Sequence, residues 1–189
     1  MYGGPPASSR FDELVDHFAM DGITLAEPST GKVLRVSPVG DPIQSSREDI
    51  RAECVNSQEV AFNFYLAPSD NVFCSIRTVR SNVVRESFSL DGKTEEQSLH
   101  VIENLATLFC RRTEQRSAFG FVADRHAELH RDFHWDDFFI GETSRPPEWP
   151  LVLGCADGFV KRTAVPSGSY SQTRLEPNCI LFHKTEVAR

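Results

Sequence analysis

The run EVAFNFYLAPSDNVFCSIRTVRSNVVRESFSL, residues Glu59–Leu90, decides the fold. Three stretches within it alternate with period two. Val60, Phe62, Phe64 and Leu66 share one face of the first. Val72, Cys74 and Ile76 share a face of the second, and Val84, Phe88 and Leu90 of the third. Successive side chains of a strand point to opposite faces, so this alternation marks half-buried strands. The links Pro68-Ser69-Asp70 and Arg80-Ser81-Asn82 are built of turn-forming residues. Together they describe a three-stranded antiparallel meander.

The flanking segments read as helices. Upstream, Phe11, Leu14, Val15, Phe18 and Ala19 recur at i, i+3, i+4, i+7 and i+8, the stripe of an amphipathic helix. Ser9 is placed to cap it, with Asp12 as the capping-box acid, and Gly22 to end it. Two β-prone runs around Ser29-Thr30-Gly31 suggest a hairpin. Ser46 is positioned to cap a short helix over SREDIRAECV. Downstream, Thr94 and Gln97 form a capping box. Glu95 and Glu96 stand in the first turn of that helix, and Arg111 and Arg112 in its last, which suits the helix dipole. Leu99, Ile102, Leu105, Ala106 and Phe109 are its expected buried stripe, with His100 on the flank. The strand SAFGFVAD follows, and PLVLGC, FVKRTAV and CILFHKTEV read as short strands of a small C-terminal β extension.

The sum is an α+β fold: a mainly antiparallel sheet with one or two amphipathic helices packed on a face. Residues 1–8 read as a loose Gly/Pro/Ser lead-in and 9–189 as a single domain. The Pro/Gly/Ser stretch near 38–46 is the one candidate for a weak internal subdivision.

Composition narrows the function classes. The net charge is −7, and Lys and Arg are scattered with no basic run, which argues against nucleic-acid binding. The acidic balance favours a basic partner. Five cysteines stand singly, without a C-x-x-C, and read as reduced, mostly buried small hydrophobes of a cytoplasmic protein. No segment is long and apolar enough for a membrane helix, and the first residues do not resemble a secretory signal.

Several catalytic signatures fail on inspection. Pro28–Val33, PSTGKV, resembles the end of a phosphate-binding loop, but Ala26 stands where a glycine is required and Val33 where a hydroxyl is required. G-x-G-x-x-G and G-x-S-x-G are both missing. Cys179 and His183 on a strand would lie about 13 Å apart, too far to form a thiolate–imidazole pair.

The stretch His126–Asp137, HAELHRDFHWDD, holds three of the six histidines, with carboxylates between them. His126, Glu128 and His130 are the candidate metal ligands. His126 and Glu128 match half of a zinc deaminase signature, but P-C-x-x-C is missing. A two-histidine, one-carboxylate site would need a distant His17 or His183. Spacing works against a three-histidine site. On a strand, histidines four apart are separated by about 13 Å. On a helix the outer pair is about 12 Å apart along the axis. Ala127, Leu129, Phe133 and Trp135 occupy the other strand face, so a half-buried element with a polar outer side accounts for the same residues. No cofactor is expected.

Immediately downstream, WDDFFIGETSRPPEW mixes aromatic and acidic residues, as interfaces do. Trp135, Asp136, Asp137, Glu142, Glu148 and Trp149 are therefore the candidate partner-binding residues. The competing account has Phe138 and Phe139 plugging the core while the acids keep the loop soluble.

This layout comprises a meander, a well-capped helix, the strand AFGFVAD, an acidic aromatic segment and a small β tail. Over residues 58–183 it resembles the immunity proteins of bacterial polymorphic toxin systems. The resemblance implies a cytoplasmic, non-catalytic binding protein that blocks a cognate toxin domain by protein–protein contact, and it carries over no residue roles. The alternatives are a metal-assisted hydrolase or acid–base enzyme using the His126–Asp136 cluster, and a structural subunit of a larger assembly.

Overall fold

The meander forms as read, and helices pack against it. The structure, a computed structural model, describes residues 1–4, 7–79, 83–115, 118–123, 135–140, 152–156, 170–174 and 179–184. In chain order the elements are β1 (Tyr2–Gly3), α1 (Ala7–Met20), β2 (Val33–Val36), β3 (Pro42–Ser45), α2 (Arg47–Asn56), β4 (Glu59–Ala67), β5 (Asp70–Thr78) and β6 (Val84–Ser89). There follow α3 (Glu95–Glu114), β7 (Ala118–Ala123), α4 (Trp135–Ile140), β8 (Val152–Ala156), β9 (Tyr170–Arg174) and β10 (Cys179–Lys184). The protein is an α+β fold, and every described strand pair is antiparallel. The chain divides into two compact units, Pro5–Asn104 and Met1–Gly4 with Leu105–Arg189, so the boundary falls inside α3.

In the unit Pro5–Asn104 the strands lie in the order β3-β2-β4-β5-β6. Val60, Phe62 and Phe64 of β4 are buried, and the two phenylalanines meet α1. Phe11 packs edge-on against Phe62 with ring centroids 5.2 Å apart, and Phe18 against Phe64 at 4.8 Å. Edge-to-face contacts of this kind add to the stabilisation from burying the rings. On β6 the inward face is not purely apolar. Glu86 sits between Val84 and Phe88 and is fully buried, where it meets Arg10 of α1. The capping box of α2 forms between Ser46 and Asp49. Arg47 and Arg51 then tie α2 to Asp12 and Asp16 of α1.

In the other unit the order is β1-β7-β8-β10-β9. The C-terminal strands therefore extend the sheet of β7, with Gly120 opposite Cys155 and Ile180 opposite both Cys155 and Arg174. Phe109 of α3 stacks on Phe121 of β7 at 5.7 Å. The side chain of Phe139 lies over Gly120, where any Cβ would collide with the ring.

Four local expectations change. The first residues are not loose: Tyr2–Gly3 pairs with Ala118–Gly120, and Met1 and Tyr2 are buried. Helix α1 begins at Ala7, so Ser9 lies inside it and is not its cap. Residues 38–46, read as loop, supply the turn and second strand of the β2–β3 hairpin. Its turn is closed by Ser37 N–H to Asp41 O at 2.9 Å, with Gly40 at φ 94°. Pro42 misleads the sequence reading, but as the first residue of a strand at the edge of this unit's sheet it is tolerated despite its missing N–H. The segment before Ser29-Thr30-Gly31 makes only isolated bridges, Thr24 to Tyr65 and Ala26 to Val33, where a full strand was expected. The expected strand FVKRTAV lies outside the described residues, and β9 is a strand that no local signal announced.

Candidate functional site: an acidic groove beside helix α3

The residues singled out from the sequence divide into two groups. His126, Glu128, His130, Glu142, Glu148 and Trp149 lie outside the described residues. Trp135, Asp136 and Asp137 form the first turn of α4. Trp135 packs edge-on against Phe138 at 5.6 Å, and Phe138 and Phe139 are buried. The Tyr2 hydroxyl donates to Asp136 Oδ1 at 3.0 Å, and the Tyr2 ring stacks on Phe139 at 4.3 Å. This turn is anchored within its own unit, with Phe138 and Phe139 plugging its core. His17, a possible distant ligand, is buried in α1 and its Nε2–H donates to the Asn104 carbonyl at 2.9 Å. Among the described residues, no three His, Cys, Asp or Glu side chains are arranged to hold a metal ion.

A different site emerges in the unit Pro5–Asn104. It is an open groove of about 760 Å³ lined by three segments: Asp21–Ile23, Leu66–Ala67, and the α3 residues Glu95–Gln97, Leu99, His100 and Glu103. Each segment is fixed by a local device. Helix α1 ends in a Schellman motif, with Gly22 N–H bonded to Ala19 O at 3.3 Å and Ile23 N–H to Phe18 O at 3.0 Å. Gly22 takes φ 79°, the left-handed conformation this turn requires. Ile23 is thereby turned inward and buried, while Asp21 stays exposed at the rim.

The start of α3 is held twice. Thr94 and Gln97 exchange the capping-box bonds, Gln97 N–H to Thr94 Oγ1 at 3.2 Å and Thr94 N–H to Gln97 Oε1 at 2.9 Å. The Gln97 amide also donates to Asp70 Oδ2 at 2.5 Å, and Lys93 forms an ion pair with Asp70. Asp70 opens β5, directly after the turn that follows Leu66 and Ala67. One carboxylate therefore fixes the α3 wall against the β4–β5 turn. On the far side of that turn Glu27 acts as a second staple. It accepts from Ser29, Thr30 and Ser69, and the hydrogen bonds from Thr30 and Ser29 lower its carboxyl to about 2.

The groove has an uneven chemical lining. Glu96, Leu99, His100 and Glu103 stand at i, i+3, i+4 and i+7, one exposed face of α3. Leu99 was expected in the buried stripe and is instead 44% exposed. The stripe that is buried runs through Ser98, Val101, Ile102, Leu105, Leu108 and Phe109. Asp21, Glu95, Glu96 and Glu103 supply four acids around an apolar floor of Ile23, Leu66 and Leu99, and no Lys or Arg lines the groove. The glutamates and His100 were visible in the sequence, but their union with Asp21 and Leu66 was not. An exposed leucine with acids three and four positions away was the one available signal.

No helix among the described residues is long and apolar enough to cross a membrane. No family model, curated protein or solved structure matches the chain.

Proposed function

We propose that this chain is a non-catalytic binding protein of the immunity or inhibitor type, which neutralises a basic protein partner such as a cognate bacterial toxin domain by direct contact. The observation that carries the reading is the groove, whose lining combines apolar side chains with four acids and one histidine and holds no Lys or Arg. A net charge of −7 would steer a basic partner toward the chain and speed encounter. Cys54, Cys74 and Cys110 are buried thiols, which suits the reducing cytoplasm that the reading implies. The test is titration calorimetry of the purified chain against a toxin domain encoded beside it. The reading requires a Kd tighter than about 10 μM and loss of toxicity on co-expression, and a weaker Kd or persistent toxicity removes it.

A further inference from the structure

We infer that the groove of the unit Pro5–Asn104 receives a short cationic segment of a partner protein, an apolar side chain flanked by lysines or arginines. This deepens the proposed function and rests on it. Three observations select that occupant. First, the lining carries Asp21, Glu95, Glu96 and Glu103 and no Lys or Arg, so an anionic ligand is repelled and a cationic one attracted. Second, the acids do not converge. No group of three metal-ligating side chains is found among the described residues, so a coordinated metal ion does not fit. Carboxylates spread from the end of α1 along the first half of α3 match positive charges spread along a chain. Third, Leu99 is 44% exposed in the middle of the acidic face of α3, over a floor that includes Leu66 and Ile23. An exposed leucine with acids around it gains by covering itself with an apolar side chain whose neighbours carry the opposite charge.

The groove volume of about 760 Å³ is that of a pocket for a few side chains, so the occupant is a segment and not a whole protein face. The walls are stiff at the points that matter. The Schellman turn at Gly22 and the Thr94–Gln97 box fix both helix ends before any ligand arrives. Little ordering entropy then remains to be lost on the receptor side.

The test is fluorescence anisotropy on the full chain with a labelled ten-residue peptide of leucines flanked by lysines. Two control peptides replace lysine by glutamate, or leucine by serine. The Lys/Leu peptide is expected to bind, with both controls weaker by at least about tenfold, and added salt is expected to weaken it. Glu96→Lys with Glu103→Lys is expected to reduce binding by at least about tenfold, and Leu99→Ser by a smaller factor. Glu48→Lys, an exposed carboxylate outside the groove, leaves it unchanged. Circular dichroism confirms that each variant is folded. Equal binding of the Lys/Leu and Glu/Leu peptides overturns the inference, as does equal loss in the Glu48 variant or no loss in the groove variants. A toxin domain that binds wild type and groove variants alike removes the groove inference and leaves the inhibitor reading standing. Selective binding of the Lys/Leu peptide with no toxin domain bound does the reverse.

Discussion

Arg10 of α1 donates through Nη2 to Oε2 of Glu86 on β6 at 2.9 Å, and the two side chains are 4% and 0% exposed. The pair joins a helix to the sheet beneath it from positions 76 residues apart. Both charges have been taken out of water, so the attraction between them mainly offsets that desolvation. Its strength shows when one partner is removed. Glu86→Ala leaves a buried guanidinium without its carboxylate, and is expected to cost about 3–5 kcal/mol. Arg10→Met with Glu86→Leu is expected to recover most of the loss. Urea unfolding of the two variants checks this. A single variant within about 0.5 kcal/mol of wild type, the spread of ordinary surface changes, would contradict it.

Glu27 gives a pH dependence with a definite sign. Hydrogen bonds from Thr30 and Ser29 hold its carboxyl at about 2, below the ordinary 4.5, so folding favours the ionised form. Its contribution is whole above pH 4.5 and drains away as pH falls toward 2. Wild type should exceed Glu27→Gln in stability at neutral pH, with the gap closing across that acidic window. A gap that stays constant through the window would show that the carboxylate is not the source.

Gly120 is required by the ring above it. A methyl group there would enter the Phe139 side chain, which is itself packed on Tyr2 and Phe138. Gly120→Ala is expected to destabilise by about 1–3 kcal/mol, the usual cost of overpacking. Adding Phe139→Leu should return part of it. Thermal melts of the pair measure both, and an unaltered midpoint for Gly120→Ala would refute the contact.

Cys54 should be inert in the folded chain. Burial, reinforced by the carboxylates of Asp12, Glu53 and Glu86, pushes its thiol up to about 12, so almost no thiolate forms near neutrality. Iodoacetamide followed by peptide mass spectrometry should show Cys54 alkylated only after denaturation. Rapid labelling of the native protein would overturn this.

Signals that act within a few residues were legible. The alternation of β4, β5 and β6, the cap at Ser46, the capping box of Thr94 with Gln97, and the glycine turn at Gly22 all follow from local sterics and hydrogen bonding. Glu86 was the exception within the meander. Its alternation put it on the inward face, but nothing local told whether a partner waited there. The aromatic segment after Trp135 was legible as core material through Phe138 and Phe139, but Tyr2, the donor to Asp136, lies 134 residues away.

The sequence by itself determined that the chain is an α+β fold with an antiparallel meander, where α2 and α3 begin and where α1 ends, and that its charge is acidic. Period and propensity act over a few residues, so they suffice for these features. Only the tertiary structure decided where the buried stripe of α3 ends, and so that Leu99 lies outside it. Ile102, Leu105 and Phe109 are buried as the period predicts, but Val101 and Leu108 flank them on one side and Leu99 on the other. Either flank carries apolar residues, and the choice between them falls to what packs against the helix. That choice left Leu99 in the open beside Glu96 and Glu103, and the end of α1 and the last residues of β4 closed the groove around it. A site assembled from three segments far apart in sequence has no periodic signature, because its geometry exists only once the long-range contacts have formed.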